Sequence, residues 1–125
     1  MGRRARGPEG AAPVAAPVAP LSHPVRLSAL AADDLQQARD WFDAREPGLG
    51  DTFLERVNET IERIAANPEQ YPVKLVDLHR APVQRFDYGV WYRVLPDESI
   101  VVACLSDRRD LSLARRRALR AVEPT

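Results

Sequence analysis

The chain has 125 residues with 18 basic and 18 acidic side chains, so its formal net charge is zero and charge as a whole names no partner. That length suits one domain, and no apolar run reaches the ~18 residues of a membrane span. The single cysteine, Cys104, excludes an internal disulfide framework, so folding needs no oxidising compartment and a cytoplasmic location is expected.

The distribution of charge is more informative than its sum. Residues 25–70 carry five Arg against ten acids, whereas residues 71–125 carry ten basic residues against seven acids. Residues 1–24 hold Pro13, Pro17 and Pro20 at intervals that forbid a helix and interrupt any export signal. They read as a disordered Pro/Ala-rich N-terminal extension, and residues 25–122 as the folded domain.

VRLSALA, from Val25, alternates as a first strand. Asp33 followed three residues later by Gln36 is a capping-box pattern. It predicts a first helix to about Arg45, with Leu35, Ala38, Trp41 and Phe42 at helical spacing. Pro47, Gly48 and Gly50 break that helix. A second helix is predicted from near Asp51 to Asn67-Pro68, its stripe formed by Phe53, Val57, Ile61 and Ile64. The short break makes the two an antiparallel hairpin, with its acidic residues on solvated outer faces.

After Tyr71-Pro72 the period becomes two. A strand is predicted from His79 to about Arg85, with Pro82 marking an edge or a bulge. A turn at Phe86-Asp87 precedes a strand from Tyr88 to Leu95, and Pro96, Asp97 and Glu98 turn the chain into a third strand, Ile100 to Leu105. The unbroken β-branched run of Ile100, Val101 and Val102 predicts a central, covered strand. Asp110 can cap a last basic helix with Leu111, Ala114, Ala118 and Val122 inward.

The expected architecture is α+β, in the order β-α-α-β-β-β-α. A small antiparallel sheet is covered on one face by the α-hairpin. The other face is open, or partly covered by the last helix. In RFDYGVWYRV, Tyr88, Val90, Tyr92 and Val94 then face the hairpin, while Gly89, Trp91 and Arg93 share the outward face.

No metal-ligand set is expected, because His23 and His79 are far apart and the one cysteine sits mid-strand. No glycine-rich phosphate loop is present either, and no cofactor is implied. What remains is a set of arginines with an aromatic: Arg80, Arg85, Trp91, Arg93, Arg108 and Arg109. Cations beside a ring suit RNA or DNA, or equally an acidic peptide. The plainer reading pairs Arg108 and Arg109 with Asp107 and Asp110, and packs Trp91 under the last helix.

Four segments together carry a resemblance: LAADDLQQARDWF, EPGLGDTFLERVNETIERIAANPEQYP, RFDYGVWYRV and IVVACLSDRRD. In order and spacing they resemble the RelE/ParE toxins of bacterial type II toxin–antitoxin modules. The resemblance implies the strand and helix order read above. It also implies a compact cytoplasmic toxin neutralised by an antitoxin wrapped around it. It leaves two activities open: poisoning of DNA gyrase, or cleavage of mRNA in the ribosomal A site. The ribonuclease branch often has an arginine directly after the tyrosine matching Tyr88, where this chain has Gly89, and a Tyr or His near the C-terminal end, where it has neither. Arg109 is the best match to a functional arginine, and Arg85 and Arg109 are the cations a cleavage reaction would use. A non-toxic module that only pairs with its antitoxin is the third possibility, with Trp91 and Arg93 as the expected antitoxin anchors.

Overall fold

A computed structural model describes residues 23–108 and 111–120, with only the backbone of Arg120. Its elements are β1 (Val25–Leu27), α1 (Ala29–Arg45), α2 (Leu49–Ala66), β2 (Val73–Leu75), β3 (Leu78–Pro82), β4 (Tyr88–Val94), β5 (Ser99–Ser106) and α3 (Leu111–Arg120). One five-stranded sheet runs in the order β1-β5-β4-β3-β2. The α+β architecture and the order of its principal elements are those expected from the sequence.

Several details differ. The first helix begins at Ala29, not at Asp33, because Ser28 is its cap: the Ser28 Oγ accepts from the Ala31 amide at 3.1 Å. Asp33 and Gln36 therefore lie inside the helix, and the first strand is only three residues long. That strand pairs parallel with β5, so the sheet is mixed. The second helix starts two residues earlier than predicted, at Leu49. The third strand in sequence is β3, and it ends at Pro82; Val83 to Asp87 form the turn. Pro82 sits beyond the reach of β2, where a missing N–H costs the ladder nothing. The strand β2 itself was not foreseen. Residues 1–22 of the predicted extension, and the predicted caps and contacts at Asp110 and Val122, lie outside the described residues. His23 and Pro24, counted with that extension, are tied to the domain: the His23 amide donates to Ala65 O and the Pro24 carbonyl accepts from Ser99, both at 2.8 Å.

The two sheet faces have separate cores. The hairpin α1–α2 covers one face, burying Phe53, Val57 and Ile64 against Val90, Tyr92, Val101 and Cys104. At the hairpin's turn the helices nearly touch: a Cβ on Gly50 would meet the Arg39 carbonyl at 2.5 Å. Any side chain there would push the helices apart. On the other face α3 packs Ala114 and Ala118 onto Leu78, Trp91, Val102 and Ala103.

A bulge explains how β5 serves both cores. Trp91 pairs with Ala103 and Tyr92 with Val101, so Val102 is an extra residue. Both Val102 and Ala103 then face α3, while Val101 and Cys104 face the hairpin. The apolar run at residues 100–103 reflects this switch of faces as well as the strand's interior position.

The bulge lies just past the end of β1, where the β5 edge would be open. Side chains cap it instead. The Cys104 amide donates to Asp34 Oδ2 at 2.9 Å, and Arg117 Nη1 donates to the Val102 carbonyl at 3.0 Å. Asp34 and Arg117 also pair with each other through two bonds of 2.9 and 3.1 Å. One buried ion pair thus joins α1, the sheet edge and α3.

Candidate partner and target surfaces

Two concave regions flank the end of the sheet where β4 begins and β5 ends. The larger, of about 800 Å³, lies between α1, the start of α2, the β3–β4 turn and the end of β5. The aromatics Trp41, Phe42, Phe86 and Tyr88 line it together with Leu49 and Leu105. Phe42 anchors this wall, with ring centroids 5.0 Å from Phe53, 5.0 Å from Phe86 and 5.6 Å from Tyr88.

Trp41 is different from its neighbours. It is 52% exposed, the one aromatic side chain so open among the described residues, and the Arg45 guanidinium lies 4.5 Å above its ring. Adjacent helical residues point about 100° apart, and of this pair Phe42 is the one that packs against the hairpin core.

Three arginines, Arg56, Arg85 and Arg108, stand around this groove. Arg85 holds φ 73 at the tip of the β3–β4 turn, a left-handed conformation that costs a non-glycine residue ~1 kcal/mol or more. The Asp107 amide donates to the Asp87 carbonyl at 2.7 Å, tying that turn to the end of β5. The Arg108 amide donates to Ser106 Oγ at 3.1 Å. These two bonds bring Arg85 and Arg108 to one rim. Both are exposed, and neither has a carboxylate partner among the described residues. Arg56 is bound to Glu59.

The second concavity, of about 430 Å³, lies beside α3 and is lined by Lys74, Leu75, Arg80, Trp91, Leu105 and Leu111, among others. Here the plainer reading of Trp91, packed under the last helix, is the one that holds, and the anchor expected at Arg93 is corrected. Trp91 and Arg93 share the predicted face, but α3 covers it: Trp91 is 5% and Arg93 7% exposed. The Arg93 guanidinium donates to both Asp77 oxygens, at 2.6 and 2.8 Å, and to the Ala118 carbonyl at 2.7 Å. It is a fastener between the β2–β3 turn and α3, not an exposed anchor. Arg80 pairs with Asp107 and lies across Gly89, whose added Cβ would stand 2.4 Å from Arg80 Nε. The glycine is thus the space that the Arg80 guanidinium occupies. Arg109 lies outside the described residues.

The Arg93 contact has a pH signature. Its hydrogen bonds hold the Asp77 carboxyl below the ordinary carboxylate range, against an opposing effect of burial. A depressed folded value means stabilisation that is complete above the unfolded value of about 3.9 and is lost as pH falls through the folded one. Titration of Asp77 followed by carbon-detected NMR will show a midpoint below that of an unfolded aspartate. In Arg93→Ala the midpoint will rise.

Two groups able to move protons, His79 and Tyr92, are committed elsewhere, and the one thiol is buried. His79 is buried, its Nδ1 donates to the Tyr71 carbonyl at 2.6 Å, and its ring stacks on Tyr92 at 5.1 Å. The Tyr92 hydroxyl donates to the Pro68 carbonyl at 2.6 Å, and burial pushes its phenol well above the ordinary range. Burial first, then the nearby Asp34, pushes the Cys104 thiol up to about 12. Among the described residues no group of three His, Cys, Asp or Glu side chains could hold a metal ion, and no helix is long and apolar enough to cross a membrane.

The model of one protein family matches residues 25–111: the ParE toxin of type II toxin–antitoxin systems, parDE. Among solved structures the fold is similar to a chain of the chromosomal ParDE TA system from P. aeruginosa. The TM-score is 0.62 at 14% identity, over 69% of this chain and 97% of that one. No curated relative matches the sequence.

Proposed function

This chain belongs to the ParE toxin family of type II toxin–antitoxin systems, and we propose that it arrests growth by binding DNA gyrase, with a cognate antitoxin silencing it from the aromatic groove beside α1. The observation that favours a non-hydrolytic mode is the fate of His79 and Tyr92, two of the groups that could transfer a proton. Cutting RNA through its own 2′-hydroxyl needs one group to take that proton and another to protonate the leaving oxygen. His79 and Tyr92 are both buried in hydrogen bonds to carbonyls, away from Arg85 and Arg108.

The groove supports the antitoxin part. It presents an exposed tryptophan, an aromatic wall and two rim arginines without a carboxylate partner among the described residues, which is the makeup of a peptide-binding surface with an aromatic anchor and charge-assisted contacts. Among the arginines and aromatic expected to bind, Arg85 and Arg108 are thus retained for recognition. Trp91 and Arg93 become structural.

A second reading, ribosome-dependent mRNA cleavage, keeps one favourable observation. The Arg80 guanidinium occupies the space above Gly89, so a cation stands where the ribonuclease branch often carries an arginine. Induced expression separates these readings. Growth will stop on induction and resume when the neighbouring antitoxin is co-expressed. Purified protein will inhibit gyrase supercoiling and leave translation in a reconstituted extract unaffected. Cleaved mRNA with intact gyrase activity would reverse the assignment, and normal growth would leave only a binding module.

A further inference from the structure

We propose a second interaction surface: the α3 side of the molecule contacts the phosphate backbone of duplex nucleic acid, independently of the sequence of bases. The chain is neutral overall, yet its charge is sorted by face. The hairpin's outer face carries the exposed acids Asp33, Asp40, Asp51, Glu55 and Glu62. On the α3 side, Lys74 of β2 and Arg115 and Arg116 of α3 are exposed, and the exposed acids there, Asp77 and Asp107, are paired with Arg93 and Arg80. None of these three cations has a carboxylate partner among the described residues.

These cations come from separate elements brought together by the fold. Leu111 and Lys74 line the same concavity, which places the first turn of α3 beside β2. Arg115 follows Leu111 by four residues and so lies on the same helix flank. Arg116 lies on the outer side of α3, opposite the buried Ala114 and Ala118. A basic helix and the lysine of the neighbouring edge strand form one positive field against the acidic hairpin.

The kind of polyanion is set by what the face lacks. Binding of single strands relies on exposed rings on which bases stack. Trp91 is buried beneath α3, and the exposed Trp41 belongs to the groove on the other side of the sheet. Cations without a stacking platform suit the closely spaced phosphates of a duplex, whose bases are already stacked. The proposal holds whichever cellular target the toxin has, because it concerns the α3 side and not the groove.

The test is fluorescence anisotropy of a labelled duplex DNA of about 20 base pairs, titrated with the full chain between 50 and 200 mM salt. Three phosphate contacts predict a log–log salt slope of about −2.7, and binding in the range of ~10⁻⁴ to 10⁻⁶ M near physiological salt. In R115E/R116E the slope will be shallower by about two units and affinity at 50 mM salt will fall at least about tenfold. Lys74→Glu, on a different element, will shift both in the same direction by a smaller amount. Arg45→Glu, on the hairpin, will bind as the parent does. Circular dichroism will confirm that these surface variants fold. No binding at 50 mM salt, unchanged binding by R115E/R116E, or an equal loss in Arg45→Glu would each overturn the proposal. So would tighter binding to a single strand, or displacement of the duplex by polyglutamate at equal charge, which would assign the face to an acidic protein.

Discussion

Asp34→Ala will lower the free energy of unfolding by about 3–5 kcal/mol, the cost of removing one partner from a buried ion pair. The Asp34 and Arg117 side chains are only 8% and 12% exposed. Removing the carboxylate strands a guanidinium inside the protein and also leaves the Cys104 amide without its acceptor. The same change unfastens α3, because Arg117 is the bond between that helix and the far side of the sheet edge. Arg117→Ala will cost a similar amount for the mirrored reason. The double variant will cost clearly less than the sum, since the second removal relieves the charge stranded by the first. Asp34→Asn will cost less than Asp34→Ala, because an amide oxygen can still accept from Cys104.

The comparison that makes this decisive is the pair Arg26–Glu98. Its bonds are as short, at 2.9 and 3.2 Å, but its side chains are 56% and 31% exposed. Glu98→Ala will therefore change stability far less than Asp34→Ala. Urea denaturation followed by circular dichroism measures all of these variants on one scale. Equal effects of Asp34→Ala and Glu98→Ala would mean that the α1–α3 clamp is not what holds the last helix in place.

Why this clamp escaped the sequence reading is instructive. Asp33 and Asp34 occupy adjacent positions before a helical stripe, and the local rule assigns such residues to a helix start. Ser28 performs that task five residues earlier. Asp34 is instead spent on an amide seventy residues away, and no local pattern encodes a contact of that range. The hairpin was legible because its signals are local: the stripe of Phe53, Val57 and Ile64, the glycines of the turn, and the stop at Asn67-Pro68. The turn at Phe86-Asp87 was legible for the same reason.

The candidate site was legible only in part. Alternation correctly divided Tyr88, Val90 and Tyr92 from Gly89, Trp91 and Arg93, but alternation cannot say how much of a face a distant helix will cover. A charged residue on a strand is read as exposed by default. Arg93 departs from that default because Asp77, in a two-residue turn after a strand too short to detect, supplies its counter-charge. The groove was missed because α1 was judged by its buried stripe, while recognition depends on the member of the Trp41-Phe42 pair that points the other way.

Trp41→Ala is the variant with the largest expected effect on recognition. An exposed tryptophan at the mouth of an apolar groove is the residue type that most often dominates an interface, and its truncation typically costs 2 kcal/mol or more, about 30-fold or more in affinity. Part of that loss will come from the Arg45 guanidinium, which loses the ring it covers. The toxin itself will barely be destabilised, because about half of the Trp41 side chain already faces solvent. Trp91→Ala will do the reverse. That indole sits under Ala114 and Ala118, so its loss will cost about 3–5 kcal/mol of stability, while antitoxin affinity of the folded fraction stays close to that of the parent. Arg85→Ala and Arg108→Ala will act differently again, slowing association and flattening its salt dependence, as expected for rim charges. Calorimetric titration of each variant with the antitoxin, alongside its denaturation curve, separates these behaviours. An unchanged affinity in folded Trp41→Ala, or a large affinity loss in Trp91→Ala without a matching loss of stability, would move the antitoxin from the α1 groove to the α3 face.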